Sequence, residues 1–380
     1  MKDFSRRAIE LHEKLKGKIE IASTTRVNNM DDLALVYTPG VGAVSREIAE
    51  NPSRADDLTW KRNAVAIVSD GSAVLGLGNI GPLAALPVME GKSVIFKEFA
   101  GINAVPIVLD TQDTEEIIKT VIAIAPTFGA IQLEDISAPR CFEIETRLAE
   151  ALNIPVVHDD QHGTAIVVLA GLSNALKIVG KKIEDIRIAM VGAGAAGTAI
   201  VKILKHAGAG DIVVCDRNGI IVSSRTDLKD NKIDIAEMTN PKGMSGSIAD
   251  AMKGADVFIG TSGPGLVTTN MIKTMAKDAI VFALANPTPE IMPDDAKAAG
   301  AAVVATGRSD FPNQVNNALC YPGLFRGMLD GRINEATPDI KLRAAHAIAD
   351  MIKKPTADCI IPTMFDKGLH EAVAKSVMFS

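Results

Sequence analysis

The sequence has few cysteines, and none of them is spaced as a pair. The four cysteines of the 380-residue chain lie far apart without any C-x-x-C spacing; they are Cys141, Cys215, Cys320 and Cys359. This spacing indicates neither a disulfide framework nor a cysteine zinc site. We therefore expect a protein of a reducing compartment, the cytoplasm.

Signals for membranes and nucleic acids are also missing. The first residues include Asp3, Glu10 and Glu13 and lack the apolar core of a signal peptide. The longest apolar stretch, 166–179, contains polar residues and is shorter than the roughly 20 residues of a membrane span. The 40 lysines and arginines do not exceed the 46 aspartates and glutamates, which excludes a basic surface for nucleic acid or anionic lipid. A soluble protein with small-molecule partners is expected.

Length and composition indicate a folded protein of two or three domains. The chain is too long for one ordinary hydrophobic core. Hydrophobic residues make up 47% and charged residues 23% of the sequence, which excludes wholesale disorder. Apolar runs alternate with amphipathic segments, without internal repeats, and this alternation is typical of α/β proteins with mostly parallel sheets.

Two series of strands and helices follow one another along the chain. The first series predicts strands at 64–68, 94–96, 105–109, 129–133 and 154–157, with helices at 114–125 and 140–152. The second begins with a helix at 164–179 and predicts strands at 186–191, 211–215, 256–259, 279–284 and 302–305. Residues beyond 322 are predicted to form helices that pack back on the body of the protein. We place one domain at 1–162 and a second at 163–380.

A G-x-G-x-x-G motif marks a candidate dinucleotide site in the second series. It consists of Gly192, Ala193, Gly194, Ala195, Ala196 and Gly197. It follows an apolar strand, opens a predicted helix at 198–207, and precedes a strand that ends in Asp216. Glycines allow a close approach to pyrophosphate, the helix N-terminus offers free N–H groups, and Asp216 can accept from a ribose hydroxyl. The alternative is a glycine turn that serves helix packing alone.

The choice between NAD and NADP is left nearly open by the sequence. Asp216 disfavours the 2'-phosphate of NADP, whereas the adjacent Arg217 could pair with it, so the sequence favours NAD only slightly. A second match at 76–81 has Pro82 behind it and no acidic residue after the next predicted strand, and we interpret it as structural.

Acidic residues follow two consecutive predicted strands. Glu134 and Asp135 come after one strand, and Asp160 follows the next. Parallel strands joined by one helix end at the same edge of a sheet, so these carboxylates should converge. Several carboxylates in one crevice favour a hard cation, Mg²⁺ or Mn²⁺. The alternative is that they are solvated or cap the following helices. His158 and His162 flank an acidic stretch expected to be a loop, and they do not form a zinc motif.

Several short motifs occur in an order that matches a known family. They are Tyr37-Thr-Pro-Gly-Val, Ser69-Asp-Gly71, Gly76-Leu-Gly-Asn-Ile-Gly81, Glu90-Gly-Lys92, Gln132-Leu-Glu-Asp135, His158-Asp-Asp-Gln-His-Gly-Thr164, the loop at 192–197, Ala285-Asn-Pro-Thr288 and Val315-Asn-Asn317. Together they resemble the malic enzymes in the short form typical of bacteria, which oxidise and decarboxylate malate to pyruvate and CO₂. The likeness extends from about residue 20 to 330. It implies an amino-acid-dehydrogenase-like α/β domain followed by a Rossmann NAD(P)-binding domain.

The resemblance also implies roles for individual residues. Lys92 matches the lysine that takes the proton from the C2 hydroxyl, a task that requires a lowered pKa, and Lys97 is its competitor. Tyr37 matches the general acid that protonates C3. Without the family, Lys92 would be a cation at the end of a helix before Gly91, and Tyr37 a loop residue covering the core.

Further matches concern the metal, the substrate and the cofactor. Glu134, Asp135 and Asp160 match the metal ligands. Asn286 and Asn317 match amides that contact the substrate, and Asn286 also matches a contact to the nicotinamide ribose, although asparagine before proline is a common turn as well.

One departure from the family concerns the substrate carboxylate. Animal malic enzymes place a gripping arginine near the position of Ala73, so Ser72 or backbone amides of the glycine loop are candidates here. This departure puts exclusive preference for malate over related 2-hydroxy diacids in doubt.

The implied reaction is a metal-dependent oxidative decarboxylation of (S)-malate, with decarboxylation of oxaloacetate as a partial reaction. The likeness also implies a homodimer in which Tyr37 could complete the site of a neighbouring subunit. Two other interpretations remain. A non-decarboxylating dehydrogenase of amino-acid-dehydrogenase type would need no clustered metal acids. A catalytically silent NAD-sensing protein would have no use for Lys92, Tyr37 and the three acids.

Overall fold

The computed structural model describes residues 4–378, which fold around two predominantly parallel sheets. In the described residues the first sheet has the order β2-β1-β3-β4 and is wholly parallel. Its strands are β1 (Ala64–Ser69), β2 (Asn103–Val108), β3 (Ala130–Leu133) and β4 (Val156–His158). The predicted α/β class is confirmed.

The second sheet, within the same residues, has the order β10-β9-β8-β5-β6-β7, and only the short β7 runs antiparallel to its neighbour. Its strands are β5 (Arg187–Val191), β6 (Asp211–Asp216), β7 (Gly219–Ile220), β8 (Val257–Gly260), β9 (Ile280–Ala283) and β10 (Val303–Thr306). The reversal of strand order at β5 creates a crevice at the carboxyl ends of the strands, where open α/β sheets bind nucleotides.

Helices cover both sheets and form much of the N- and C-terminal regions. They are α1 (Phe4–Leu15), α2 (Met30–Val36), α3 (Val41–Glu50), α4 (Ala55–Leu58), α5 (Pro82–Ala100), α6 (Thr114–Ile124), α7 (Arg140–Ala151), α8 (Asp159–Val179), α9 (Ala195–His206), α10 (Asn231–Met238), α11 (Ile248–Met252), α12 (Thr269–Lys273), α13 (Pro293–Ala298), α14 (Tyr321–Gly331), α15 (Pro338–Asp350) and α16 (Leu369–Met378). Short 3₁₀ turns lie at Pro52–Arg54, Lys61–Asn63, Ala125–Thr127 and Asn317–Leu319.

The predicted strand at 94–96 is wrong. These residues lie inside α5, a 19-residue helix that begins with Pro82 and ends at Gly101 in the left-handed region. Phe96 is fully buried and continues the buried face of this helix together with Met89. A three-residue apolar run does not distinguish a strand from one turn of a buried helix.

Helix α8 is the central element of the fold. It starts at Asp159, five residues before its predicted start, so the expected acidic loop between His158 and His162 is its first turn. By length and composition alone this helix of 21 residues could cross a membrane, because an 18-residue window within it has a mean hydropathy of 1.4. However, 67% of the apolar window is buried inside the protein, which is the burial of a core helix.

One hydrophobic core runs through both sheets. Side chains of β1, α8 and β5 belong to the same buried cluster, for example Val65, Ile166 and Ile188. The C-terminal helices return to this body as predicted, because α15 packs on α8, and α14 packs on α5 and α16. The division into domains at 162/163 falls inside α8 and stays a prediction.

Candidate active site

Three carboxylates converge at the carboxyl edge of the first sheet. Strands β3 and β4 are parallel neighbours, with Leu133 paired to His158, so the residues that follow them meet at this edge. One carboxylate oxygen each of Glu134, Asp135 and Asp160 lies within 4.8 Å of the others. The convergence predicted from the strand order is therefore present in the structure.

The environment of these acids fits a hard divalent cation. Glu134 is 2% and Asp135 3% exposed. Burial raises the pKa of Glu134 well above its usual range despite the opposing effect of Lys92. Burial, with Asp160 adding to it, raises the pKa of Asp135 to about 7. Asp135 Oδ2 is buried and has no hydrogen-bond partner among the described residues. An all-oxygen donor set with an orphaned carboxylate oxygen suits Mg²⁺ or Mn²⁺.

Lys92 reaches this cluster from the middle of α5. Its Nζ lies 3.0 Å from Glu134 Oε1 and 2.5 Å from Asp159 Oδ2. The ring of Tyr321 completes its surroundings, with the ring centroid 4.5 Å from Nζ. Burial lowers the pKa of Lys92, but Asp159 and Glu134 outweigh burial, so the net pKa lies well above its usual range. The lowered pKa expected of a catalytic base is absent in this arrangement because two carboxylates face the ammonium group.

The competing lysine lies elsewhere. Lys97 is in the last turn of α5, and its Nζ donates to Asn103 Oδ1 at 2.9 Å on the exposed side of the helix. Of the two lysines, the structure brings only Lys92 to the acids. The structural alternative, a cation at a helix end before Gly91, is also wrong, because α5 continues through Gly91.

A partly buried glutamate that the sequence did not single out, Glu145, contacts the first turn of α8. Glu145 Oε1 accepts the backbone N–H of His158 at 2.7 Å, and Oε2 accepts from Gln161 Nε2 at 2.9 Å. His162 Nε2 lies 2.9 Å from Oε1. Burial raises the pKa of Glu145, but His162 outweighs it and the net pKa falls to about 2. Both histidines thus lie beside the acidic cluster without belonging to it.

The loop after β1 is braced by an arginine. Arg140 Nη2 donates to Asp70 Oδ2 at 2.8 Å and to Ser72 Oγ at 3.0 Å. Ser72 Oγ also donates to Asp70 Oδ1 at 2.5 Å and accepts from the backbone N–H of Ser137 at 2.9 Å. The Ser72 hydroxyl is therefore already engaged, which weakens the expectation that it holds a substrate carboxylate.

The glycine-rich loop at 192–197 joins β5 to α9, which begins at Ala195. Gly192 has φ +107°, and a Cβ there would lie 2.5 Å from Thr261 Oγ1, so the position requires glycine. The N-terminus of α9 has no side-chain cap among the described residues, which leaves N–H groups for an anion.

Asp216, at the end of β6, is surrounded by two cations that the sequence did not reveal. Arg225 Nη1 lies 2.9 Å from its Oδ1, and Lys232 Nζ lies 2.7 Å from its Oδ2. Burial raises the pKa of Asp216, but Arg225 and Lys232 outweigh it and keep the net pKa below its usual value. Neighbouring Asn231 donates to the carbonyl of Ala193 at 2.8 Å, which ties the start of α10 to the glycine loop.

Asn286 and Asn317 contact different segments of the chain. A Cβ on Gly76 would lie 2.1 Å from the backbone oxygen of Asn286. The loop at 76–81 therefore touches the loop that follows β9. Asn317 packs near Gly163 of α8, where an added Cβ would lie 3.0 Å from Asn317 Cβ. The side chain of Asn316 accepts from the N–H of Ala318 at 2.9 Å and caps the 3₁₀ turn.

Tyr37 is not brought to the cluster within this chain. It terminates α2 and is 67% exposed. Its hydroxyl makes no hydrogen bond to any of residues 4–378, and the tyrosine beside Lys92 is Tyr321.

Comparisons with known proteins agree over almost the whole chain. Residues 16–149 match the family described as malic enzyme, N-terminal domain, and residues 161–377 match malic enzyme, NAD binding domain. A bifunctional malic/malolactic enzyme of Bacillus subtilis is 53% identical and is aligned over 97% of this chain and 91% of its own length. An NAD-dependent malic enzyme of Geobacillus stearothermophilus is 57% identical and is aligned over 95% of this chain and 76% of its own length.

Solved structures give the same result. The crystal structure of an NAD-dependent malic enzyme from Thermotoga maritima is 48% identical, covers 98% of this chain and 99% of that chain, and has a TM-score of 0.96. The crystal structure of a malic enzyme from Pyrococcus horikoshii is 46% identical, covers 98% of this chain and 89% of that chain, and has a TM-score of 0.93.

Proposed function

This chain belongs to the malic enzyme family, and we propose that it oxidises and decarboxylates (S)-malate to pyruvate and CO₂ while reducing NAD(P)⁺. The observation that carries this proposal is the meeting of Lys92 with the acid cluster, in the same body as a glycine-rich dinucleotide loop. Decarboxylation of added oxaloacetate is proposed as a partial reaction of the same site.

We infer that Glu134, Asp135 and Asp160 hold Mg²⁺ or Mn²⁺. Support comes from their proximity, their burial and the orphaned oxygen of Asp135. When bound, the ion supplies a Lewis acid for the oxygen at C2 of the substrate.

Lys92 is proposed as the base that receives the proton of the C2 hydroxyl. Its Nζ must first be neutral, and Asp159 Oδ2 at 2.5 Å is the group to which it can pass its own proton. Asn286 and Asn317 are proposed to orient the substrate, and Asn286 also the nicotinamide ribose. When bound, the nicotinamide supplies the acceptor for the hydride that leaves C2.

The dinucleotide is proposed to lie on the loop at 192–197, with its pyrophosphate at the N-terminus of α9. Arg225 and Lys232 offset the negative charge of Asp216. The expected repulsion of a 2'-phosphate by Asp216 is thereby reduced. We therefore propose that both NAD⁺ and NADP⁺ serve as cofactors.

The proposed assembly is a homodimer in which Tyr37 protonates C3 in the site of the neighbouring subunit. Helices α1, α2 and α3 contain no buried residue, and they expose apolar side chains such as Phe4, Met30 and Leu35. Exposed apolar side chains grouped on one segment are typical of a protein interface. Tyr37 lies on this same segment.

A cytoplasmic location is proposed from the cysteines. All four are free, and three of them are buried where oxidation would not reach them. Free cysteines are typical of a reducing compartment.

Steady-state kinetics with malate and each cofactor in turn, with CO₂ collected, test the proposed function. Reduction of cofactor with an equal amount of CO₂, lost after chelation and restored by Mn²⁺, is the expected result. Reduction without CO₂ would favour a non-decarboxylating dehydrogenase, and nucleotide binding without turnover would favour an NAD sensor.

A further inference from the structure

Glu145 connects helix α7 to the segment that begins α8 through three separate contacts. Its carboxylate accepts the backbone N–H of His158 at 2.7 Å and the side-chain N–H of Gln161 at 2.9 Å. His162 Nε2 lies 2.9 Å from Oε1 and 3.0 Å from Oε2. A single carboxylate thus contacts both ends of a five-residue stretch.

Asp159 and Asp160 lie between those contacts. Asp159 bonds Lys92, and Asp160 Oδ2 accepts the backbone N–H of Asp135 at 2.8 Å. The side chain of His158, the residue that precedes α8, makes no capping hydrogen bond among the described residues. The carboxylate of Glu145 satisfies a backbone donor there and adds negative charge at a helix N-terminus, where it is favourable.

The helix that carries Glu145 is anchored in the core. It lies on the buried side of α7, whose Cys141, Ile144 and Leu148 are fully buried in the core of the first sheet. Its own side chain is 14% exposed. On the far side, Lys341 of α15 lies 3.5 Å from His162 Nε2. Helices α7, α8 and α15 are therefore connected at one partly buried point.

We propose that Glu145 is a positioning residue for the metal site: it fixes the first turn of α8 and thereby the carboxylate of Asp160. This inference rests on the proposed function, because it assumes that Asp160 is a metal ligand. Partners that orient metal ligands affect affinity strongly, and their substitution costs about 10- to 100-fold.

The experiment measures Mn²⁺ binding to the 380-residue chain without malate, by electron paramagnetic resonance of the free ion. It compares wild type with E145Q, which keeps the shape of the side chain and removes its charge. The matched control is E143Q, because Glu143 lies on the same helix, is 57% exposed and pairs only with Arg147 among the described residues. NADH affinity, measured by fluorescence, reports on the second domain.

E145Q is expected to weaken Mn²⁺ binding about tenfold or more, whereas E143Q changes it by less than about twofold. NADH affinity stays as in wild type. In steady state the KM for Mn²⁺ rises, and saturating Mn²⁺ restores most of kcat. Wild-type Mn²⁺ affinity in a folded E145Q would overturn the proposal.

If E145Q also loses NADH binding, a second variant, Q161M, tests the proposal instead. Q161M removes only the Gln161 bond to Glu145. Weaker Mn²⁺ binding with intact NADH affinity supports the positioning role, and unchanged Mn²⁺ binding overturns it. A wild-type chain that turns over malate without binding Mn²⁺ overturns the proposed metal site and this inference with it.

Discussion

Lys92 Nζ lies 3.0 Å from Glu134 Oε1, joining the middle of α5 to the carboxyl end of β3. The helix leads into β2, which pairs with β1, and this packing aims its middle turn at the sheet edge. Glu134 is also one of the three residues proposed to bind the metal. Metal binding would therefore remove one of the two carboxylates that raise the pKa of Lys92, and leave Asp159 as its partner.

Replacing Lys92 should slow malate oxidation strongly. K92M keeps the length of the side chain and removes the amine, so kcat with malate should fall about 10²- to 10⁴-fold, the usual contribution of a general base. K97M is the control, since Lys97 bonds Asn103 outside the cluster. Comparable kcat values for K92M and K97M would exclude Lys92 as the base.

Mixing two inactive variants should restore activity if Tyr37 acts across a dimer. Y37F and K92M are each expected to be inactive alone. After unfolding and refolding together, random dimers should regain about a quarter of wild-type activity, because half are hybrids and each hybrid has one intact site of two. No recovery, with hybrids demonstrated by native mass spectrometry, would place Tyr37 in its own subunit.

Lys232 should matter more for NADP⁺ than for NAD⁺. In K232M, Asp216 loses the cation at 2.7 Å, and its charge then opposes a 2'-phosphate. The kcat/KM for NADP⁺ should fall about tenfold, the effect of one charged hydrogen bond, with a much smaller change for NAD⁺. K229M alters a nearby exposed lysine and serves as the control. An equal loss with both cofactors would contradict this role.

The sequence was informative where one local rule determines the structure. The α/β class with mostly parallel sheets follows from the alternation of apolar and amphipathic segments. The meeting of Glu134 with Asp160 follows from two consecutive parallel strands. The loop at 192–197 and Asp216 follow from a motif with its flanking strands.

Long-range side-chain partners could not be predicted in this way. Arg225 and Lys232 lie 9 and 16 residues after Asp216 in segments without a periodic pattern. In the sequence, Glu145 is one of several acidic residues of an amphipathic helix, and nothing marks it out. Its contacts are seen only once α7 is packed beside β4. Tyr37 depends on a partner subunit in the proposed assembly, so a single chain does not determine its surroundings.

The most direct measurement is anomalous diffraction from a crystal grown with Mn²⁺ and the cofactor. We expect one strong peak bound by oxygens of Glu134, Asp135 and Asp160, with Lys92 still contacting Asp159. A crystal that holds the cofactor but shows no density among these acids, with Lys92 bridging Glu134 and Asp159 as before, would contradict the proposed decarboxylating site.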